Sequence, residues 1–146
     1  MHYFDPTYET SDDRVGERRV ATLMGEWWGV SLLPLPRYAL ADYMAVKDDV
    51  VWAFVEVKRR KVEHDYYDTY MLSAKKVDGL IELANKLRVE AYIAIEFTDG
   101  VYTLDAHTMS RGALRHGGRM DRPQDPNSFE KTYHIAHHFL LKVGDV

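Results

Sequence analysis

The sequence has no cysteine, which excludes a disulfide scaffold and a thiolate metal site. No apolar run approaches the ~18 residues that a membrane-spanning helix needs. The N-terminus lacks the basic-then-apolar layout of a signal peptide, and internal repeats and low-complexity tracts are absent. We therefore expect a soluble, cytoplasmic protein with no membrane partner.

Size and charge set further limits. With 146 residues, of which 46% are hydrophobic, the chain is long enough for a single domain, residues 1–146, with a buried core. The net charge of −4 is not that of an indiscriminate polyanion binder. A nucleic-acid partner would therefore have to be held by local basic patches around an acidic site.

Residues 38–60 are predicted to form a β-hairpin, and this segment carries the most informative residues of the chain. Aliphatic, β-branched and aromatic residues dominate both halves, and the polar triplet at 47–49 between them is typical of a turn. Side chains alternate faces along a strand, so Glu56 and Lys58 are expected to project from the same face.

The length of the turn decides how the two strands pair. With a three-residue turn, Val46 faces Val50. Asp42 then lies opposite Phe54 and diagonal to Glu56, within reach of a shared ion. A turn two residues longer would place Asp42 directly opposite Glu56, whereas a one-residue slip would break the arrangement.

Two neighbouring carboxylates on a buried strand require a cation or a proton between them. The run 51–57 is apolar apart from Glu56, which favours a strand buried on both faces. Burying Asp42 beside Glu56 is costly unless their charge is neutralised. Oxygen ligands of this kind suit Mg²⁺ or Mn²⁺ rather than zinc. The alternative is a surface strand on which Glu56 and Lys58 form an ordinary solvated pair.

Asp42, a gap of 13 residues and then Glu56-Val57-Lys58 form a known spacing. It resembles the Asp…Glu-x-Lys signature of the PD-(D/E)xK nuclease superfamily, with Ala41 in place of the proline that names the motif. The resemblance implies that Asp42 and Glu56 hold Mg²⁺, for which Mn²⁺ substitutes, and that the Val57 carbonyl is a third ligand. It also implies that Lys58 orients the attacking water and offsets charge on the phosphate.

The first predicted helix supplies a further carboxylate. A residue within 11–13 caps this helix, which runs to about Trp28 and ends near Gly29. Glu17 lies on the shoulder of its buried face, while Glu26 turns away from that face. Many nucleases of the superfamily carry a glutamate here that reaches the metal, and the resemblance implies this role for Glu17. The alternative is a boundary glutamate paired with an arginine. The predicted buried stripe consists of Val20, Leu23, Met24 and Trp27.

A second helix is predicted over residues 74–87, with Ser73 as its N-cap. Lys76 borders the buried stripe of this helix. A basic or polar residue recurs there in the superfamily, so the resemblance implies that Lys76 lies near the substrate. The alternative is a lysine whose stem covers apolar surface. The stripe consists of Val77, Leu80, Ile81, Ala84 and Leu87.

The remaining strands complete the fold prediction. Two prolines limit residues 30–35 to a short edge strand. Residues 90–97 indicate a main strand, and the turn at 99–100 leads into a further strand at 101–104. Two strands, a helix and a third strand, in that order, require a crossover connection. The resemblance covers about residues 12–105 and implies a restriction-endonuclease-like α/β fold, with a three-layer α/β/α core around a central mixed sheet.

Basic residues indicate where nucleic acid would be held. Arg59 and Arg60 begin a polar connection that contains several tyrosines, and both can contact phosphate. Residues 106–146 are interpreted as a C-terminal extension with a basic, glycine-rich loop that can approach phosphate closely. In both segments the alternative is a solvated loop without a partner. The arginines expected to contact phosphate in the second loop are Arg115, Arg119 and Arg122.

Residues 129–141 fit either a closing strand or a helix. If they form a helix, His134, His137 and His138 converge on one face and could bind a transition metal. We prefer to interpret them as ordinary boundary histidines.

These expectations favour a Mg²⁺-dependent nuclease that hydrolyses phosphodiester bonds, most readily those of DNA. The compact size favours a structure-selective or weakly sequence-selective endonuclease, similar in scale to small viral or prokaryotic nucleases and Holliday-junction resolvases of the superfamily. A homodimer is possible, since two symmetric cuts need two sites. The alternatives are a catalytically silent nucleic-acid-binding module on the same fold and a metal-independent protein-interaction module.

Overall fold

A computed structural model describes residues 11–118 and 129–145 of the chain. In chain order, its elements are α1 (Ser11–Trp28), β1 (Ser31–Pro34), β2 (Tyr43–Lys47), β3 (Val50–Arg59), β4 (Thr69–Ser73), α2 (Ala74–Leu87), β5 (Glu90–Phe97), β6 (Gly100–Asp105), α3 (Ala106–Ser110), β7 (Ala113–Gly118), β8 (Phe129–Ala136), a 3-10 turn (His137–Phe139) and β9 (Leu141–Gly144). Within these residues no helix is both long and apolar enough to cross a membrane.

The described strands build a central mixed sheet in the order β1-β2-β3-β5-β6-β9. Strands β3 and β5 run parallel, and the other neighbouring pairs run antiparallel. Helix α2 provides the crossover that a parallel pair requires. The mixed sheet and its crossover are therefore confirmed. Strand β9 joins the sheet beside β6, so the sheet extends past the residues that the resemblance covers.

Helices cover both faces of the sheet. On one face α1 packs Val20 and Met24 against Val55 and Val57 of β3. On the other face α2 and α3 cover a larger apolar cluster that includes Phe54 of β3. Because side chains alternate along a strand, Glu56 and Lys58 belong to the same face as Phe54. The three-layer α/β/α arrangement is confirmed.

The β2–β3 hairpin forms, but its predicted register is wrong. The turn contains only Asp48 and Asp49, whose φ angles of 52° and 64° give the left-handed geometry of a tight hairpin. Val46 consequently faces Val51 rather than Val50. A bulge then leaves Trp52 as an extra residue on β3, since Ala45 pairs with Ala53.

The bulge changes the position of Asp42. Strand β2 begins at Tyr43, which pairs with Val55, so Asp42 precedes the strand instead of lying within it. Continuing the register by one residue places Asp42 opposite Glu56, not opposite Phe54. The two carboxylates therefore meet more directly than a three-residue turn would allow.

A second described sheet has the order β4-β8-β7, and two of its strands, β7 and β8, lie in the predicted C-terminal extension. Residues 129–136 are a strand rather than a helix, so the three histidines do not share a helical face. Residues 113–118 are also a strand, and their prediction as a loop is wrong. Residues 113–118 form a strand because their backbone pairs with β8, and this pairing could not be predicted from the local sequence.

Helix α2 has the expected bounds, and Ser73 Oγ accepts a hydrogen bond from the Lys76 N–H at 3.4 Å. Helix α1 ends at Trp28 as expected but begins at Ser11, so the residues expected to cap it already belong to the helix. The predicted buried stripes differ at their last residues. Trp27, however, is 46% exposed and Leu87 is 56% exposed, so neither belongs to a buried stripe. At the end of α1, Trp28 packs against the sheet instead of Trp27, with its ring centroid 5.1 Å from that of Trp52.

Candidate active site

Asp42 is held against β3 by two backbone contacts. Its N–H donates to the carbonyl of Val55 at 3.0 Å, and its Oδ2 accepts a hydrogen bond from the N–H of Val57 at 2.7 Å. These contacts lie on either side of Glu56, which is only 8% exposed. The hairpin thus brings together the two carboxylates that the sequence singled out.

Lys58 lies beside them, as its position on the strand predicted. Its Nζ is 3.2 Å from Glu56 Oε1, which confirms that Glu56 and Lys58 share a face. Burial lowers the pKa of Lys58, but the nearby charges of Glu56 and Asp42 outweigh this effect and raise the pKa above its ordinary value. Lys58 therefore keeps its positive charge at neutral pH.

The electrostatics show that one lysine does not offset the carboxylates. Burial, and then the charge of Glu56, raises the pKa of Asp42 from 3.8 to about 7. The hydrogen bond from Val57 and the charge of Lys58 lower this pKa but do not compensate. A carboxyl group in this state needs a proton or an additional cation. An all-oxygen donor set of this kind fits a hard divalent ion such as Mg²⁺ or Mn²⁺.

Glu17 reaches the same region from α1. Its charge raises the pKa of Asp42 and also that of Tyr43, so its carboxylate lies close to the start of β2. Glu26 is exposed on the same helix, as predicted. Among the described residues, Glu17, Asp42 and Glu56 do not form a triad with ligand atoms within 4.8 Å of one another. The role of Glu17 as a metal ligand stays a prediction.

A different triad, His64, Asp65 and Asp99, does meet that distance. Asp99 already accepts hydrogen bonds from the backbone N–H of His64 at 2.9 Å and from the hydroxyl of Tyr102 at 3.1 Å. Its Oδ2 also lies 2.6 Å from His64 Nδ1. Burial raises the pKa of Asp99, but these hydrogen bonds lower it further than burial raises it. We interpret the triad as an attachment between the segment after β3 and the β5–β6 turn.

Two of the predicted basic residues lie at the active-site face. The charge of Lys58, followed by burial, lowers the pKa of Lys76, so the two ammonium groups are close together. Arg60 places its guanidinium carbon 5.5 Å from the ring centroid of Tyr70. The predicted contacts of Lys76 and Arg60 with nucleic acid are compatible with these positions and stay predictions.

Arg59 lies on the opposite face of the sheet. Its Nε donates to Glu96 Oε1 at 3.0 Å, and Arg19 donates to the other oxygen of Glu96 at 2.9 Å. The guanidinium of Arg59 crosses α1 at Gly16, where a Cβ atom would overlap it. The ion pair with Glu96 gives the guanidinium of Arg59 a structural role, and its phosphate contact stays a prediction.

Of the three arginines predicted to lie in the glycine-rich loop, the structure describes only Arg115. Arg115 is exposed on β7. Arg119 and Arg122 lie outside the described residues. The phosphate contacts of all three stay predictions.

Tyr70 is a neighbour of the site that the sequence reading missed. It is 5% exposed, and burial raises the pKa of its hydroxyl, on which the nearby charges of Arg60, Lys58 and Glu56 also act. That hydroxyl has no hydrogen-bond partner among the described residues. The alternation in Thr69–Ser73, which ends at the helix cap Ser73, was an available signal for the strand that carries Tyr70.

Comparisons with known proteins bear on this arrangement. The structure of Hjc, a Holliday junction resolvase from the archaeal hyperthermophile Archaeoglobus fulgidus, is 21% identical, with a TM-score of 0.56 over 87% of this chain and 91% of that chain. This likeness shows that the fold is restriction-endonuclease-like. D212, a nuclease from a fusellovirus, is 12% identical, with a TM-score of 0.49 over 97% of this chain and 91% of that chain. Among curated proteins, none matches the chain.

The resemblance carried by Asp42 and Glu56-Val57-Lys58 is confirmed at the level of the family. A family profile described as "Phage putative PDDEXK endonuclease" matches residues 3–142, which is nearly the whole chain. The chain belongs to this family of phage PDDEXK endonucleases.

Proposed function

We propose that this protein is a Mg²⁺-dependent endonuclease that hydrolyses phosphodiester bonds in DNA. The observation that carries the proposal is the Asp42 carboxyl group, whose pKa is raised to about 7 beside the buried Glu56. Asp42 is fixed by a hydrogen bond from Val57, and Lys58 stands next to the pair. If these two carboxylates had only a structural role, we would expect positively charged side chains of the protein to balance both of their charges.

The residues divide into ligands and cationic groups. Asp42 and Glu56 would hold Mg²⁺ or Mn²⁺, with the Val57 carbonyl as a third ligand and Glu17 as support for a second ion. When bound, the metal would polarise the phosphoryl oxygen and lower the pKa of a coordinated water. Lys58 orients the attacking water and offsets charge that builds up on the phosphate. Lys76, close to Lys58, adds a second positive charge on the same face.

The raised pKa gives Asp42 a further role. At pH below about 7 its carboxyl group holds a proton, which must leave before the group can bind a metal. At metal concentrations below saturation, metal binding, and cleavage with it, is therefore expected to increase as the pH rises through 7. The charge of Lys58 favours the ionised form and limits the extent of the shift.

DNA structure is the proposed basis of substrate selection. The described elements form one compact fold around the site, and Hjc, which shares the fold, is a Holliday junction resolvase. We propose a structure-selective or weakly sequence-selective enzyme. A homodimer would provide two sites for paired cuts.

A single cleavage experiment tests the proposal. Fluorescently labelled single strand, duplex, flap and four-way junction are each incubated with the protein and Mg²⁺, Mn²⁺ or EDTA. We expect cleavage of at least one branched or partly single-stranded DNA with either metal, and none with EDTA. Binding of the same DNA without cleavage under any metal condition would instead indicate a silent binding module. Cleavage that persists in EDTA would contradict metal dependence.

A further inference from the structure

A cavity of about 410 Å³ lies beside the candidate active site. It is bounded by the segment after β3, by β4 of the second sheet and by β8. Its size falls in the range of small-molecule sites in proteins. The lining residues that the argument uses are Arg60, Tyr67, Thr69, Tyr70, Met71 and His134.

The lining is rich in flat, unsaturated groups. The guanidinium of Arg60 lies over the ring of Tyr70, and Tyr67 at the mouth is 62% exposed. His134 is fixed through both ring nitrogens, by Thr69 at 3.1 Å and by Thr132 at 3.0 Å. Burial, then the charge of Arg115, lowers the pKa of His134, so its ring is neutral at neutral pH. Such a lining suits a flat, uncharged ring better than an ion.

Tyr70 forms part of the wall of the cavity. Its side chain is more than nine-tenths buried and its hydroxyl is fully covered, so a ligand in the cavity can contact the ring of Tyr70 but not its hydroxyl.

The cavity also lies next to the candidate active site. The backbone N–H of Arg60 donates to the Glu96 carbonyl at 2.8 Å, which extends the strand geometry by one residue. Arg60 therefore lies on the same face as Lys58, roughly 6–7 Å along the strand. A ligand in the cavity would be a close neighbour of a phosphate held at Lys58.

We propose that this cavity takes one unpaired nucleobase of the DNA strand that is cut. The proposal rests on the nuclease function above and deepens it. A base stacks on aromatic rings and on guanidinium groups, which Tyr67 and Arg60 provide in the lining of the cavity. A base inside a duplex cannot enter such a cavity without leaving the stack. The cavity thereby provides a physical reason for preferring DNA with an unpaired base.

The test uses full-length protein in EDTA, so that binding is measured without cleavage. The probe is a DNA duplex with 2-aminopurine in a single-nucleotide bulge, and the control DNA carries 2-aminopurine fully paired. We expect the wild type to change the fluorescence of the bulged probe and to bind it more tightly than the paired one. Tyr67→Ala should weaken binding of the bulged probe about fivefold or more and leave the paired probe unaffected. Met71→Trp, which narrows the cavity from an exposed position, should act similarly.

Trp27→Ala is the matched control, because it removes an exposed aromatic ring that does not line the cavity. Equal affinity of the wild type for both probes, or unchanged binding in Tyr67→Ala and Met71→Trp, would overturn the proposal. The same bulged DNA is then incubated with Mg²⁺. Cleavage without a fluorescence response would overturn the proposal that the cavity binds a base and would leave the proposed nuclease function standing. A fluorescence response without cleavage of any DNA would support base binding in the cavity and overturn the proposed nuclease function.

Discussion

At the scale of single residues, Asp42 shows how a functional group works against the stability of its own fold. Its carboxyl group is placed beside Glu56 and near Glu17, and the folded protein raises its pKa to about 7. Neutral side chains at this position would avoid the repulsion. Residues retained at such a cost commonly serve binding or catalysis.

The sign of this effect gives a prediction for the metal-free protein. The folded-state pKa of Asp42, about 7, lies above its ordinary value of 3.8, so the folded chain binds this proton more tightly than the unfolded chain. The stabilisation is fully present below about pH 4 and is lost as the pH rises to about 7. Asp42→Asn should remove this loss, on the order of 1–2 kcal/mol. Urea unfolding of both proteins in EDTA from pH 4.5 to 8 measures the difference.

The difference between the two proteins isolates Asp42, because other groups that titrate in this range, such as His134, are common to both. Parallel pH profiles for the wild type and Asp42→Asn would contradict the strained carboxyl pair.

Lys58 is predicted to act on the transition state and not on metal binding. Lys58→Ala should lower the cleavage rate by a factor on the order of 10² or more, because the phosphate loses a positive charge as its own charge builds up. The increase in melting temperature on adding Mg²⁺ should persist. Lys75→Ala, an exposed lysine on the same helix as Lys76, is the control and should cleave normally. Cleavage by Lys58→Ala at the wild-type rate would remove Lys58 from the mechanism.

At the scale of elements, the hairpin shows where sequence reasoning succeeds and where it stops. The strand character of residues 50–59 and the shared face of Glu56 and Lys58 follow from local composition and alternation. The bulge at Trp52 does not, because it depends on packing against Trp28 and Tyr92 from other elements. The prediction consequently found the two strands that pair but placed Asp42 opposite Phe54, two residues from its actual partner Glu56.

The connection between α3 and β7 gives a prediction about packing. Gly112 lies so close to β8 that a Cβ atom would overlap the backbone carbonyl of His134. Gly112→Ala should therefore destabilise the protein by about 1–3 kcal/mol, since backbone must move. Gly79→Ala is the matched control. Its Cβ would meet only the end of the Leu40 side chain at 3.3 Å, and alanine favours the helix that contains it. Urea unfolding that shows equal stability for the two variants would contradict the close approach at Gly112.

At the scale of the whole molecule, the three layers could be predicted and the second sheet could not. The crossover between β3 and β5 follows from element order, which is a local property of the sequence. Strand β4 pairs with β8, more than sixty residues away, as in the pair Thr69–Ala136. Residues 113–118 contain two glycines and few strand-forming side chains, so they are a strand only because β8 is beside them. The cavity next to the active site depends on this second sheet, and so it was also invisible in the sequence.

The central claim is that Asp42 and Glu56 form a metal site, and thermal melting tests it without any substrate. The wild type and its variants are melted at pH 8 in EDTA and in millimolar Mg²⁺ or Mn²⁺. A metal that binds only the folded state should raise the wild-type melting temperature by about 5 °C or more at 100 times its Kd. Asp42→Asn and Glu56→Gln should lose most of this increase, and Glu17→Gln should fall between them and the wild type. Glu26→Gln, exposed on α1, should keep the full increase. If Asp42→Asn retains the wild-type increase, the metal does not bind at this site and the account is contradicted.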